Sequence, residues 1–488
     1  MRKLTTLALP ALLACAVGPK YERPQTAVPP EHRFTVGPTE AASVADVPWW
    51  DMYRDPALQA LIREALQANQ DLALATARVE EARALVGVAS SGLWPQVNLQ
   101  ATGLYGQQTS KSAQKAAGFG GTVGPYGTLG ADLGLAWELD VWGKWRNARD
   151  AAKADLLTTE ELRRAVLLTL VSDVAQAYVE LRAFDAQLDI AQRTTQARQA
   201  TLDLAEARSQ GGVGNDLEVM QARANLAVSA AAMPASRRFI ALRENFISVL
   251  LGKPPGPVAR PGAAELPQPP PLPAGVPATL LERRPDVVAA EQQAVAANAR
   301  VGVAVANRLP SLSLLGTLGL ASTSISTLFS SDALTWSLGG GLFAPIFQGH
   351  RLTSEQEAAE ARFRQSVATW RQTVLTAYRE VSDFAVSVRE LGLEREERVK
   401  EVTAARQAEQ LAVVRYEGGT ASYLEVLDAQ RVAFQAELDL VDTATQQLVS
   451  SVQLYRALGG GWQEPQAEAA AAQPASGTAA PPPPAPRT

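Results

Sequence analysis

The residues with the most chemistry to offer follow a glycine turn in the last quarter of the chain. Leu424, Asp428 and Arg431 are spaced by four and three residues, so they share one face of a helix. Tyr416 lies on the helix that runs into the turn at Gly419. The carboxylate and the guanidinium can form an ion pair at this spacing, and the phenol can donate or accept a hydrogen bond. Taken alone, the residues favour a solvent-exposed Asp428–Arg431 pair that contributes only a few tenths of a kcal/mol.

Catalytic and metal-binding chemistry is poorly represented. The chain has two histidines and one cysteine, so common metal ligands and thiol nucleophiles are nearly absent. His32 and His350 have no partners at ligand spacing. The glycines between Gly118 and Gly124 follow no hydrophobic strand, which argues against a phosphate-binding loop. No nucleophile, base and orienting group stand together, so an enzyme is the weakest class, and we expect neither a cofactor nor a metal.

The start of the chain predicts a secretory signal peptide over residues 1–14. Basic residues open the chain, and an apolar run from Leu4 to Ala14 follows them. This run is too short to cross a bilayer as a helix, so we do not interpret it as a transmembrane segment.

The single cysteine ends this apolar run. Leu12-Leu13-Ala14-Cys15 resembles a bacterial lipobox, in which cleavage precedes the cysteine and Cys15 takes covalent lipid such as palmitate. We therefore expect a lipidated N-terminal segment over residues 15–48. By the same resemblance, the absence of aspartate at Ala16 favours the outer membrane. The alternative is an incidental cysteine in an ordinary signal peptide.

Composition delimits the rest of the chain. With 45 basic and 50 acidic residues the net charge is −5, so we expect no nucleic-acid partner. The Ala/Pro-rich residues 461–488 lack apolar periodicity and predict a disordered tail. Residues 253–277 are rich in proline and predict a linker.

The linker joins two copies of one pattern. Ala177-Tyr178-x-Glu180 recurs as Ala377-Tyr378-x-Glu380, and Gly212-x-x-x-x-Leu217-Glu218-Val219 recurs as Gly419-x-x-x-x-Leu424-Glu425-Val426. The shared order indicates a tandem duplication, with repeats over 49–252 and 278–460.

Each repeat contains one very long helix and a tight turn. We predict helices over about 145–209 and 352–417, which contain no proline. Roughly 65 residues at about 1.5 Å rise give about 100 Å, a length that requires coiled-coil-like partners. The helices reverse at the tips 210–215 and 418–421, where Gly can adopt positive φ.

Each repeat also contains two alternating runs that predict strands. They cover about 96–109, 128–142, 310–324 and 333–347, with apolar residues at every second position. Each run exceeds the roughly 9–11 residues that cross a bilayer as a tilted strand. Four strands cannot close a barrel, so a transmembrane barrel would need more than one chain.

Several motifs together resemble the TolC-like outer-membrane factors of tripartite efflux pumps, in particular their lipid-modified, NodT-type branch. The resemblance runs in order from about residue 15 to 458. It rests on Trp49-Trp50 with Asp55-Pro56-x-Leu58-x-x-Leu61, Asn69-x-Asp71-Leu72, Leu281-Glu282-Arg283-Arg284-Pro285-Asp286, Ala297-Asn298-Ala299 with Leu309-Pro310-Ser311-Leu312, Pro345-Ile346-Phe347-Gln348-Gly349-x-Arg351, and Tyr416-x-x-Gly419-x-x-x-Tyr423-Leu424-Glu425-Val426-Leu427-Asp428-Ala429-Gln430-Arg431.

The resemblance implies an α+β membrane protein that works as a passive exit duct. Three identical chains would each give four strands to one twelve-stranded barrel in the outer membrane, continued by a long periplasmic α-helical barrel. A periplasmic adaptor, or membrane fusion protein, and an inner-membrane RND-type pump would drive substrates, including antibiotics, through it.

The resemblance also assigns roles to residues near the tips. It implies a closed periplasmic gate built by Tyr416, Leu424, Asp428 and Arg431, in which three Asp428 carboxylates form an acidic ring. The first repeat carries Gln221 where the second has Asp428, so the gate should rest on the second hairpin. Exposed tips would contact the adaptor through Gly211, Gly212, Val213, Gly214, Gly418, Gly419, Thr420 and Ala421.

Two other functions stay open at this point. The same architecture could serve as the exit duct of a protein-secretion system. A periplasmic coiled-coil scaffold is a rival of a different class, but a scaffold has no use for four bilayer-length strands.

Overall fold

The protein is described by a computed structural model. It describes residues 16–25, 50, 53, 55–107, 125–262, 266 and 284–459. The predicted signal peptide, Cys15, His32, the glycine-rich loop and the Ala/Pro tail lie outside the described residues, as does most of the predicted linker. The described residues fall into two compact units. The first unit takes its residues from 1–26, 75–162 and 288–373, and the second from 27–74, 163–287 and 374–488.

Both sequence repeats contribute helices and strands in the same order. The first contributes α1 (Pro56–Ala68), α2 (Gln70–Ser91), β1 (Gln96–Gln107), β2 (Pro125–Leu139), α3 (Lys144–Gln210) and α4 (Asp216–Leu250). The second contributes α5 (Pro285–Ala306), β3 (Ser311–Ser322), β4 (Leu334–Phe343), α6 (Arg351–Glu417) and α7 (Tyr423–Ala457). Within the described residues, no helix is both long and apolar enough to cross a membrane.

The first unit contains a single antiparallel sheet of strand order β1-β2-β3-β4. The central pair joins the two repeats, since Leu133 on β2 lies opposite Leu318 on β3. On the outer pairs, Leu99 lies opposite Leu133, and Leu318 lies opposite Trp336. The sheet is therefore a meander whose first and last strands, β1 and β4, each keep one edge without a strand partner among the described residues.

The register gathers most of the large apolar side chains of all four strands on one face; Leu104, Leu315 and Phe343 lie on the other. Residues opposite each other in adjacent strands point to the same side of a sheet. By this rule one face carries Val97, Leu99, Tyr105, Leu129, Leu133, Leu135, Trp137, Leu312, Leu314, Leu318, Leu320, Leu334, Trp336, Leu338 and Leu342. Many of these are well exposed, among them Leu99, Tyr105 and Trp336. A continuous exposed apolar face of this length matches a sheet that meets lipid.

The strand ends differ somewhat from the predicted ones. β4 ends at Phe343, four residues before the predicted end. Pro345 follows closely and has no backbone N–H to donate to a ladder, which accounts for the early end. β2 runs from Pro125 to Leu139, so it begins and ends about three residues before the predicted range of 128–142.

The second unit is a helical bundle whose main core surrounds α1 and α3. Asp55 caps α1, because its carboxylate accepts hydrogen bonds from the backbone of Ala57 at 2.9 Å and Leu58 at 3.3 Å. Its other oxygen accepts the hydroxyl of buried Tyr178 at 2.7 Å. Leu58 and Ile62 are completely buried in the same core. The Asp-Pro start of this helix therefore fixes α1 on α3.

Candidate functional site

Both 67-residue helices end in the same turn. Gly212 follows the end of α3 by two residues, and Gly419 follows the end of α6 by two residues. Their φ angles are +74° and +73°. The backbone N–H of Val213 donates to Arg208 at 3.0 Å, and that of Thr420 donates to Arg415 at 2.9 Å. This bonding pattern belongs to helix C-caps with a left-handed glycine. A Cβ would meet nothing within 4 Å at either position, so conformation and not crowding accounts for glycine there.

The returning helices begin differently in the two repeats. Asn215 caps α4, since its side chain accepts from the backbone of Glu218 at 3.0 Å and donates to the Glu218 carboxylate at 3.2 Å. Ser422 stands at the equivalent place before α7 but makes no side-chain capping bond. The first tip is thus tied more firmly than the second.

The helix ends next to the two turns pack around a small core, called the tip bundle below, whose buried residues are Leu202, Ala205, Val219, Ala222, Tyr416, Tyr423 and Val426. Tyr416 has an exposed fraction of 2%. Its hydroxyl donates to Glu218 Oε2 at 3.1 Å, across 198 residues of sequence. Its ring packs edge-on against Tyr423 at 5.7 Å between centroids. The Arg208 guanidinium lies 4.7 Å from the ring centre and donates to the Tyr416 carbonyl at 3.0 Å. Tyr416 therefore links the second hairpin to the first.

The surroundings of Tyr416 keep its hydroxyl protonated. Burial, followed by the hydrogen bond to Glu218 and the charge of Glu218, raises the pKa of Tyr416 to about 12. Arg208 opposes this shift without cancelling it. The phenol therefore remains a hydrogen-bond donor over the whole physiological range.

The other three predicted gate residues lie on the exposed side of α7. Leu424 is 64% exposed. Arg431 Nη2 donates to Asp428 Oδ1 at 3.0 Å, and their side chains are 74% and 66% exposed. Inward-facing positions of the same helix are taken by Tyr423 and Val426, which are buried. Among the described residues of one chain, Asp428 and Arg431 thus form an exposed pair, and no hydrogen bond or ion pair joins them to Tyr416.

Sequence reasoning missed a buried polar network in the tip bundle. Arg198 on α3 is 2% exposed and donates to the backbone carbonyls of Asn225 at 2.7 Å and Gln430 at 3.3 Å. Asn225 donates to Gln430 Oε1 at 2.8 Å, and Gln430 donates to Thr201 at 3.1 Å. The guanidinium also lies 5.0 Å from the ring centre of Phe434. This network joins α3, α4 and α7 through groups that water does not reach.

A sequence signal for this network existed. Arg198, Leu202 and Ala205 are spaced by four and three residues, so a basic residue occupies the apolar stripe of α3. A charge on such a stripe indicates a buried, hydrogen-bonded role. Glu218 could also have been found, because it stands at the third position after the cap Asn215.

Burial shifts the pKa values of Arg198 and of Glu409 in opposite directions. Burial lowers the pKa of Arg198, although Glu409 opposes this shift. Burial raises the pKa of Glu409, and Glu437 raises it further, while Arg198 and Arg406 lower it. Arg198 and Glu409 therefore depend on each other for their charged forms.

The tips themselves are exposed and partly apolar. Val213, in the first turn, is 73% exposed, and Leu217 and Met220 on α4 are also exposed. Gly418, Gly419 and Thr420 are exposed in the second turn. Across the parts of the chain that the structure describes, no group of three or more acidic, histidine or cysteine side chains could hold a metal ion.

An antiparallel sheet with one exposed apolar face, together with helical hairpins of 67 and 35 residues, defines a channel-forming outer-membrane protein. The family described as outer membrane efflux protein matches residues 61–253 and 276–460, once in each repeat. The chain belongs to this family.

Individual relatives agree with this assignment. Cation efflux system protein CusC of Escherichia coli is 32% identical over 459 residues, which cover 93% of this chain and 97% of CusC. Pyoverdine export outer membrane protein OpmQ of Pseudomonas putida is 35% identical over 437 residues, which cover 87% and 90%. The open-state structure of the Neisseria gonorrhoeae MtrE outer membrane channel matches with a TM-score of 0.82 at 27% identity, covering 92% of this chain and 98% of MtrE.

These findings confirm several predictions. The resemblance to TolC-like outer-membrane factors is confirmed, as are the fold class and the outer-membrane location. The protein is an outer-membrane efflux channel, and its family consists of such channels.

Proposed function

We propose that three copies of this chain form one exit duct, and that the duct catalyses no reaction. The observation that carries this proposal is the pair of edge strands, β1 and β4, each with one unpaired edge in the described sheet. Unpaired backbone N–H and C=O groups cost several kcal/mol each in a bilayer, so an open four-stranded sheet cannot remain there alone. Pairing β4 of one copy with β1 of the next closes the sheet without edges.

We propose that the second hairpin holds the gate at the periplasmic end. The Tyr416–Glu218 hydrogen bond ties α6 to the start of α4 and keeps the tip of each chain closed. Around a threefold axis, the exposed Asp428 side chains of three copies form a ring that narrows the entrance and favours cations. Leu424 and Arg431 flank Asp428 on the same helix face and complete the contacts between copies.

The partners we propose are a periplasmic adaptor and, through it, an inner-membrane RND-type pump. The two turns present glycine backbone and an exposed Val213 side chain, which together can fit the apolar end of another helical hairpin. The relatives are named for cation and pyoverdine export, two very different cargoes. We infer that the pump selects the substrate and that this duct conducts what it receives.

Lipid on Cys15 would attach to a segment that the structure holds firmly. The Val17 N–H donates to the Trp142 carbonyl at 3.0 Å, and the Asn147 amide donates to the Val17 carbonyl at 3.0 Å. Asn298 donates to the Pro19 carbonyl at 2.8 Å. We propose that Cys15, the residue before this segment, is acylated, so that the lipid is attached next to a stretch that is bonded to the residues following β2.

One mass measurement tests the assembly and the lipid together. In detergent, native mass spectrometry should give three copies of the chain. Under denaturing conditions, each chain should begin at Cys15 and carry the added mass of fatty acyl groups, which Cys15→Ser should lack. A monomer or dimer would contradict the proposed duct. An unmodified thiol on an intact trimer would contradict only the lipid.

Engineered cysteines test the contact with the adaptor. Cys15 is the single natural cysteine, so an added thiol is the only free one once Cys15 is acylated. A cysteine at Val213 or at Thr420 should crosslink to the adaptor in cells. The control is Ser331→Cys, an exposed position in the connection between β3 and β4. Equal crosslinking at Ser331, or none at the tips, would argue against the proposed docking.

A further inference from the structure

The face of the sheet opposite the apolar one is lined mostly by small and neutral polar residues, with Leu104, Leu315 and Phe343 as large apolar exceptions. By the strand register, Asn98 lies beside Gly134, and Gln100 lies beside Asp132. On the other pair, the hydroxyls of Thr317 and Ser337 are 2.7 Å apart on this same face. Such a surface offers hydrogen-bond groups to water and few bulky side chains to exclude it.

Only two charged residues occur within the four strands, and both are acidic residues of β2 on this polar face. Glu138 is neutralised, because Lys144 Nζ lies 3.0 Å from its carboxylate. The Asp132 carboxylate makes no hydrogen bond and no ion pair with the residues that the structure describes, although the Asp132 backbone pairs with both neighbouring strands. The polar face therefore carries one uncompensated charge per chain, and it is negative.

Asp132 occupies the middle residue of β2, which runs from Pro125 to Leu139. A lipid-facing charge at such a depth is destabilising, so an uncompensated carboxylate there requires water. Its neighbour on β3 is Gly319, where an added Cβ would approach the Asp132 Cα and Cβ to 2.6 Å. The adjoining strand thus lies very close, and at this position it has no side chain that could cover the carboxylate.

We propose that Asp132 is a selectivity-determining residue of the transmembrane section. This inference rests on the proposed trimer, in which the apolar face meets lipid and the polar face lines the lumen. Three Asp132 carboxylates then form a ring at mid-depth in the barrel. A water-filled passage with low-dielectric walls focuses the field of such a ring, so cations are enriched and anions are depleted. The ring acts separately from the Asp428 ring at the tip.

The reversal potential of single channels in a KCl gradient tests this directly. All proteins carry Tyr416→Phe and Asp428→Asn, so that the tip is open and its acidic ring does not mask the barrel. In that background, Asp132→Asn should lower the K⁺ over Cl⁻ permeability ratio by roughly threefold. Adding Asn98→Asp, which places a carboxylate on the same face one register step away, should restore the ratio. The control is Asp71→Asn on α2, outside the sheet, which should leave the ratio unchanged.

Each result has a distinct meaning. An unchanged ratio in a conducting Asp132→Asn trimer would overturn the inference and leave the proposed duct intact. Silence of every protein, including the parent, would instead contradict the duct. If Asp132→Asn fails to assemble, Asn98→Asp alone decides, because a second carboxylate on a lumen face should raise the ratio and one on a lipid face should prevent insertion.

Discussion

Replacing Tyr416 by Phe and Asp428 by Ala is expected to turn a weakly conducting protein into one with large, stable conductance steps. The first change removes the hydroxyl that donates to Glu218 and leaves the ring packed against Tyr423. A hydrogen bond to a charged group contributes about 1.5–3 kcal/mol. Three such bonds, one per chain, are comparable with the ~5.5 kcal/mol that shifts a two-state equilibrium from 1:99 to 99:1.

The Asp428 change acts on a different part of the proposed gate. Among the described residues of one chain, the Asp428 side chain bonds only to exposed Arg431, so the fold of α7 should tolerate alanine. Between copies, however, three Asp428 side chains would hold the aperture through polar contacts. We therefore expect Asp428→Ala to widen the entrance and Tyr416→Phe to free α6 from α4. The double variant should conduct about tenfold more than the parent in planar bilayers.

The first repeat supplies the matched control for this experiment. Ser209 and Gln221 stand where the second repeat has Tyr416 and Asp428. Ser209→Ala with Gln221→Ala makes the same number of changes at equivalent places on the other hairpin, and it should conduct like the parent. Equal opening by both double variants would mean that the gate is not confined to the second hairpin. Two silent, membrane-inserted trimers would contradict the gate altogether.

The second large effect is expected from Arg198→Ala. This change removes two hydrogen bonds to carbonyls of α4 and α7, and it removes one of the two arginines, Arg198 and Arg406, that lower the pKa of Glu409. Breaking a buried charged cluster by removing one member costs about 3–5 kcal/mol. Backbone amides of α4 near Asn225 and of α7 near Gln430 should therefore exchange with deuterium about a hundredfold faster. Mass spectrometry of peptides from the trimer measures this directly.

The loss of tip stability in Arg198→Ala should be larger at higher pH. Burial raises the folded-state pKa of Glu409, so its ionisation costs free energy in the folded protein. That cost is absent below the unfolded pKa and complete above the folded pKa. Arg198→Ala should therefore destabilise the tip more at pH 8 than at pH 5, and adding Glu409→Gln should recover part of the loss at pH 8.

An exposed arginine provides the comparison. Arg223 pairs with Glu206 at 2.7 Å, but the arginine side chain is 55% exposed. Surface pairs contribute about 0–1 kcal/mol, so Arg223→Ala should change the exchange of the same peptides by less than about fivefold. If Arg198→Ala behaved like Arg223→Ala, the buried network would not hold the tip together.

The amino-acid sequence by itself determined the elements and their order. Long stretches without proline predict the two 67-residue helices, because nothing in them interrupts the backbone hydrogen bonds. Gly212 and Gly419 mark the reversals, since a left-handed residue is needed there. Alternation at every second position predicts the strands, and the recurring motifs identify the family. All of these signals depend on neighbours within a few residues, where local geometry is decisive.

The tertiary structure alone decided which side chains meet. Tyr416 bonds to Glu218, 198 residues away in sequence, and Arg198 bonds to Gln430, 232 residues away. Sequence periodicity does not predict contacts between residues so far apart in the chain. The pairing of β2 with β3, which brings the two repeats into one sheet, is of the same kind. Tyr416 and Asp428 both carry a polar group and lie within ten residues of the same turn, yet Tyr416 is buried and Asp428 is exposed. Packing of several helices decides that difference, because burial depends on the combined surface of neighbours that are distant in the chain.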